Sequence, residues 1–171
     1  MTKVINLFGG PGVGKSTIAL GLTYHLKLLN KEVEYVSEVA KDLVWEERHR
    51  TLTYQSYLFG KQNRNIQRVI GKVEFIVTDS PPLMCLVYSK SESQSFHDYV
   101  VETHNWMNNL NIYLHRVLPY STVGRYQDET EARKKDSEIH NLLQKNHIPY
   151  VAIDGFADLA VPQILDMLNV R

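Results

Sequence analysis

The run Gly9-Gly10-Pro11-Gly12-Val13-Gly14-Lys15-Ser16-Thr17 carries the densest chemistry in the chain. It fits the spacing G-x-x-x-x-G-K-[ST], with an apolar run from Val4 to Phe8 before it and a helical pattern after it. Glycines so placed let the backbone curl until successive N–H groups point inward, making a nest for anionic oxygens. The N-terminus of the following helix adds the positive end of its dipole beneath those oxygens. Lys15 then reaches the β- and γ-phosphates, and the Ser16 hydroxyl can hold Mg²⁺. A glycine-rich turn that binds nothing is the bland alternative, but every fixed position is present in a strand–loop–helix context. Residues Gly9 to Thr17 are therefore read as the site of a nucleoside triphosphate, with Mg²⁺.

Two carboxylates follow apolar runs. Asp79 comes directly after 73–78 and Glu38 directly after 33–37. At a strand end near the phosphates, Asp79 can hold Mg²⁺ or accept a proton from an acceptor hydroxyl; Ser80 and Pro81 also allow a helix-cap role. Glu38 is either a general base or an exposed first-turn glutamate. The preferred division makes Asp79, with Ser16, the metal holder and Glu38 the base; the reverse stays open. On the acceptor side stand Lys41, Arg48, Gln55, Phe59 and Gln62, with Arg64. Gln55 and Gln62 lie on an otherwise apolar helical stripe (Leu52, Phe59, Ile66, Val69), where a buried amide needs partners. Either that face borders a polar pocket, which is the expectation here, or the amides bond to nearby backbone. Phe59 either stacks on a base or packs inside, and Trp45 and Tyr57 carry the same ambiguity.

The elements that must position these groups follow from periodicity. Strands are expected over 3–8, 33–37, 73–78, 111–116 and 150–153. Helices are expected over 16–29, 42–50, 51–70, 83–88, 96–108, 129–145 and 161–170. Strands alternating with helices over short connections imply an α/β fold of the P-loop NTPase type. Its form would be a three-layer sandwich, a five-stranded parallel sheet with helices on both faces. Ligands in such sheets bind beyond the carboxyl ends of the strands. That rule gathers the phosphate loop, Glu38, Asp79, the segment after Arg116 and Asp154-Gly155 along one edge.

A length of 171 residues fits a single domain. Lys plus Arg and Asp plus Glu are both 19, so no basic excess marks a non-specific nucleic-acid binder. The lone Cys85 excludes an internal disulfide, and the seven histidines show no metal-ligand spacing. No membrane-spanning run or leader pattern is present, so a cytoplasmic location is expected, the host cytoplasm if the source is viral. Nothing in the sequence states an oligomeric state.

Other segments narrow the class of nucleotide protein. Asn30-Lys31 is followed by Glu32-Val33, so the Asn-Lys-x-Asp base-reading motif of GTPases is missing. Asp79 is followed by Ser80 and Pro81, so the water-orienting glutamate of motor ATPases is missing too. A compact phosphotransferase remains. The segments Ile5 to Thr17, Glu38-Val39-Ala40-Lys41-Asp42-Leu43-Val44-Trp45-Glu46 and Val77-Thr78-Asp79-Ser80-Pro81 resemble small P-loop kinases of the thymidylate-kinase-like class. Within it the sequence looks most like bacteriophage 5-hydroxymethyluracil-DNA kinases, from Lys3 to about Gly155. It is more loosely similar to nicotinamide riboside kinase domains. The resemblance implies transfer of the γ-phosphate of ATP to the hydroxymethyl group of 5-hydroxymethyluracil in phage DNA. It also implies a lid-like loop at about 117–130, with Arg125 closing over the transferring group and Arg116 and Arg133 competing for that duty. Asp154-Gly155-Phe156 would border the adenine. A free deoxynucleoside monophosphate or nicotinamide riboside as acceptor, and a non-catalytic nucleotide-binding module, are the alternatives.

Overall fold

Five short apolar runs become the strands of one sheet in the computed structural model of the chain, which describes residues 1–89, 92–117, 119–120 and 128–170. Strand β1 (Lys3–Phe8) lies centrally, between β3 (Phe75–Thr78) and β4 (Asn109–His115). The edges are β2 (Val33–Val36) and β5 (Val151–Asp154), giving the order β2-β3-β1-β4-β5. Every pairing is parallel. A parallel strand flanked on both sides has no solvent face, which is why β1 is buried after Lys3 and apolar there but for Asn6, whose Nδ2 donates to Asn109 and Asn111.

Side chains still alternate across the sheet and divide the core in two. Ile5 and Leu7 pack with Ile18, Leu22, Val161 and Ile164, from α1 (Lys15–Leu28) and α8 (Ala157–Met167). Phe8 and Tyr113 pack on the opposite side with Phe59, Leu83 and Ile139. That layer is made by α4 (Gln55–Gln67), α5 (Cys85–Tyr88), α6 (Gln94–Asn105) and α7 (Glu129–Lys145). The chain thus adopts the expected α/β sandwich.

Local chemistry sets the element ends. Helix α1 stops where Asn30 takes a left-handed φ of 55°. Helix α7 opens on a capping box: Asp128 Oδ1 accepts from the Glu131 N–H, and Glu131 Oε2 accepts from the Asp128 N–H. The helix expected over 42–50 is instead two pieces, α2 (Val39–Trp45) and α3 (His49–Leu52), with Glu47 at a φ of 55° between them. The helix expected from 51 begins only at Gln55. Thr53 Oγ1 and Gln55 Nε2 donate to the carbonyls of Arg50 and Leu52 and close the α3 turn first. The last helix starts at Ala157 rather than 161. Among the described residues, no helix is long and apolar enough to cross a membrane.

Candidate active site

The carboxyl end of β1 runs straight into the loop, and α1 begins at Lys15. Gly14 makes the turn into the helix with a φ of 100°, a conformation that residues with a Cβ resist. Val13 is fully buried and pins the loop into the α1–α8 side of the core. Gly155, just past β5, donates its N–H to the His115 carbonyl at 2.9 Å and lies so close to the Val13 carbonyl that no Cβ would fit. The ends of β1, β4 and β5 therefore fix the loop from three sides. Lys15 Nζ donates to the carbonyls of Gly9 and Gly10 at 2.7 and 2.8 Å. Burial holds its pKa below the ordinary lysine value, against the pull of Glu38, Asp79 and Asp136.

Asp79, immediately after β3, is 3% exposed. Its Oδ2 accepts from Ser16 Oγ at 2.5 Å and from the Tyr35 hydroxyl at 2.9 Å. Its Oδ1 is buried and has no hydrogen-bond partner among the described residues. An unmatched carboxylate oxygen beside a serine hydroxyl is a hard oxygen donor set, and it fits Mg²⁺. No group of three or more His, Cys, Asp or Glu suited to a metal occurs among the described residues. Phosphate oxygens and water would complete the shell, as Mg²⁺ prefers.

Glu38 follows β2 at the N-cap position of α2, yet its side chain makes no cap bond. Burial pushes its pKa above the carboxylate range; Asp79 adds to the shift while Lys15 and Lys41 oppose it. Lys15, Glu38 and Asp79 thus lie within electrostatic reach of one another at one sheet edge, as the strand-end rule anticipates.

The acceptor-side expectations fare differently. The pocket reading of the two glutamines is replaced by the backbone reading. Gln62 is 4% exposed, accepts from the Val39 N–H at 3.1 Å and donates to the Ser37 carbonyl at 3.1 Å. It therefore brackets Glu38, and its Nε2 also lies 3.4 Å from Thr78 Oγ1, one residue before Asp79. Gln55 spends its amide on the Leu52 carbonyl. Phe59 is 5% exposed and meets Phe96 and Tyr99 edge-on, each at 5.7 Å, so it packs inside rather than offering a stacking face. Lys41 and Arg48 are exposed, and Arg48 pairs with Glu46 at 3.3 Å. Arg125 lies outside the described residues. Arg133 is an exposed partner of Glu129 on α7. Arg116 is buried, paired with Asp136 beside the phosphate loop.

Tyr35 and Asp136 are site-side residues that sequence reasoning missed. Tyr35 sits on an edge strand where period-two reading assigns it only a face. Asp136 lies mid-helix among charged neighbours that read as a solvated surface.

A family profile described as an AAA domain matches residues 4–158, and the chain belongs to that family. No curated protein matches the sequence. Among solved structures, the chain resembles a deoxyadenosine kinase from M. mycoides with the products dCMP and a flexible dCDP bound. The TM-score is 0.58 at 18% identity, over 97% of this chain and 98% of that one. At that identity the likeness is one of fold, the fold of a P-loop kinase.

Proposed function

We propose that this member of the AAA-domain family is an ATP- and Mg²⁺-dependent phosphotransferase acting on a hydroxyl of a nucleoside-type acceptor, with 5-hydroxymethyluracil in phage DNA as that acceptor. The observation that carries the reading is the grouping of Lys15, Ser16–Asp79 and Glu38 at one edge, with Ser80 and Pro81 where a hydrolytic ATPase would set a water-orienting carboxylate.

In this reading the loop N–H groups and Lys15 hold the donor phosphates. Ser16 and Asp79 hold Mg²⁺, which supplies charge neutralisation at those phosphates. Glu38 accepts the proton of the acceptor hydroxyl. The acceptor oxygen forms its bond to the γ-phosphorus while the bond from that phosphorus to the β–γ bridging oxygen breaks, its electron pair leaving with ADP. A loose transition state needs the proton removed only late, so a carboxylate suffices as base. Arg125 is assigned to close over the transferring group, excluding water.

A nucleoside-type acceptor is supported by the shared fold of the deoxyadenosine kinase. A DNA strand is supported by the surface running from α2 through α4. Trp45, Tyr54 and Tyr57 are 63%, 53% and 40% exposed there, interleaved with Lys41, Arg48, Arg50, Lys61 and Arg64, which outnumber the exposed Asp42, Glu46 and Glu47 of the same stretch. Exposed rings among cations are what an unpaired strand stacks and tracks along.

The test offers γ-labelled ATP and Mg²⁺ with hydroxymethyluracil-containing DNA, deoxynucleoside monophosphates and nicotinamide riboside in parallel. Label in DNA is expected, and it should disappear in Lys15→Ala. Label confined to a small molecule overturns the DNA acceptor, and no transfer to any acceptor overturns the kinase.

A further inference from the structure

Arg116, the residue after β4, has only 5% of its side chain exposed. Its Nε and Nη2 donate to Oδ2 and Oδ1 of Asp136 at 2.8 and 3.0 Å. The same Oδ1 accepts the N–H of Gly10 at 2.7 Å. One carboxylate on α7 thereby joins the end of β4 to an early peptide of the phosphate loop. The fit leaves no room for a side chain at Gly10. A Cβ there would collide with Asp136 Oδ1, and it would stand 2.7 Å from the Ala132 carbonyl oxygen and 3.1 Å from Arg116 Nη2.

The third guanidinium nitrogen is left over. Arg116 Nη1 is buried without a hydrogen-bond partner among the described residues and stands 3.4 Å from where a Cβ of Gly12 would be. The Tyr120 ring covers the guanidinium at 5.7 Å and lies against the same glycine. The pair is within reach of the phosphate-binding lysine, since Asp136 raises the pKa of Lys15 and Arg116 lowers it.

A carboxylate beside a phosphate nest has the wrong sign for its neighbour, and like charges at short range repel. Bidentate pairing with a planar guanidinium cancels that charge and fixes its geometry. A buried donor with no partner, at the edge of an anion-binding loop, is matched by an anionic oxygen.

We infer that Arg116 and Asp136 form a clamp on the phosphate loop. Asp136 is a positioning residue that fixes the peptide of Gly10, and Arg116 neutralises Asp136 and offers Nη1 to a phosphate of the bound nucleotide. The inference rests on nucleotide binding at the loop and not on the identity of the acceptor.

The experiment measures ATP and AMP affinity by calorimetry with Mg²⁺, below the melting temperature of each variant. Arg116→Ala should weaken ATP binding by about 30-fold or more, with a much smaller change for AMP, because it exposes the triphosphate to an unpaired carboxylate. Adding Asp136→Ala to that variant should recover part of the loss. Asp136→Asn, which keeps an oxygen for the Gly10 N–H, should bind ATP more tightly than Asp136→Ala. Folded variants that bind ATP as the wild type does, or that lose ATP and AMP equally with no recovery in the double variant, overturn the clamp. If the alanine variants do not fold, Arg116→Lys and Asp136→Asn carry the same ATP-against-AMP comparison. Loss of ATP binding in Lys15→Ala shows the loop itself to be sound, so a clamp failure is separable. A wild-type protein that binds no ATP overturns the loop reading and the clamp together.

Discussion

The hydroxyl of Tyr35 lies 2.9 Å from Oδ2 of Asp79, tying the edge strand β2 to the end of β3. The same oxygen takes the hydroxyl of Ser16, so both neutral donors are spent on Oδ2, and among the described residues Oδ1 is left without one. Such an arrangement turns a carboxylate so that one oxygen faces a cation.

Tyr35→Phe removes one of the two donors that orient Asp79. The Mg²⁺ concentration needed for half-maximal ATP binding is expected to rise about 10-fold. Stability should fall by about 1 kcal/mol, the worth of one ordinary hydrogen bond. A Mg²⁺ titration at fixed ATP reads the first and a thermal melt the second. An unchanged Mg²⁺ dependence would show that Tyr35 does not set the orientation of Asp79.

Gln62 makes a sharper case, because its amide touches the residues on both sides of Glu38. Gln62→Leu keeps the volume but leaves the Val39 N–H and the Ser37 carbonyl unmet, at a cost of about 1–3 kcal/mol. In a transfer assay, kcat should drop while the KM for ATP stays near wild type, since the phosphate loop is held by other elements. Equal damage to both constants would point to general loosening instead.

These residues also show what a sequence discloses and what it hides. The phosphate loop and the two strand-end carboxylates are legible because local spacing and strand ends dictate where they go. The sandwich is legible because each strand carries its own apolar run. The use of Gln62 is not, since a buried amide reads the same whether it meets a ligand or a backbone peptide 25 residues away in sequence. Arg116 and Asp136, 20 residues apart, become partners only after α7 is laid across the loop. Helix ends near 45–55 slipped for a related reason. Side-chain bonds from Thr53 and Gln55 to local carbonyls outweigh helix continuity, and no apolar period reports them.

Glu38 should betray its burial in the pH dependence of transfer. Its pKa is raised, chiefly by burial, so the ionised form that the proposed base requires appears only above the ordinary carboxylate range of about 4.3. The rate should climb through an alkaline-shifted limb that Glu38→Gln lacks, with the variant slower by about 100-fold. The linked stability has a definite sign. A raised carboxyl favours the folded state fully below its unfolded pKa, and that contribution is lost as pH rises through the folded pKa. Glu38→Gln should therefore match the wild type in stability near pH 4 and exceed it near pH 8. A wild type as stable as the variant at both pH values would remove burial as the cause.

His104 gives the opposite sign and a test away from the site. It lies on α6, 2% exposed, with its ring edge-on to Phe8 at 6.2 Å and neither nitrogen hydrogen-bonded among the described residues. Burial lowers its pKa from 6.5 to about 4, so the folded protein keeps the ring neutral where an unfolded chain would protonate it. Stability from a lowered histidine is complete above the unfolded pKa and is lost as pH falls toward the folded one. The loss reaches about 3 kcal/mol by pH 4. His104→Leu removes both unpartnered nitrogens and the titration while keeping an apolar side chain of similar bulk. Carboxylate titration is common to the two proteins and cancels in the comparison. Between pH 6.5 and 4.5 the melting temperature of the wild type should therefore fall more steeply than that of His104→Leu. Parallel curves would assign the acid sensitivity to groups other than His104.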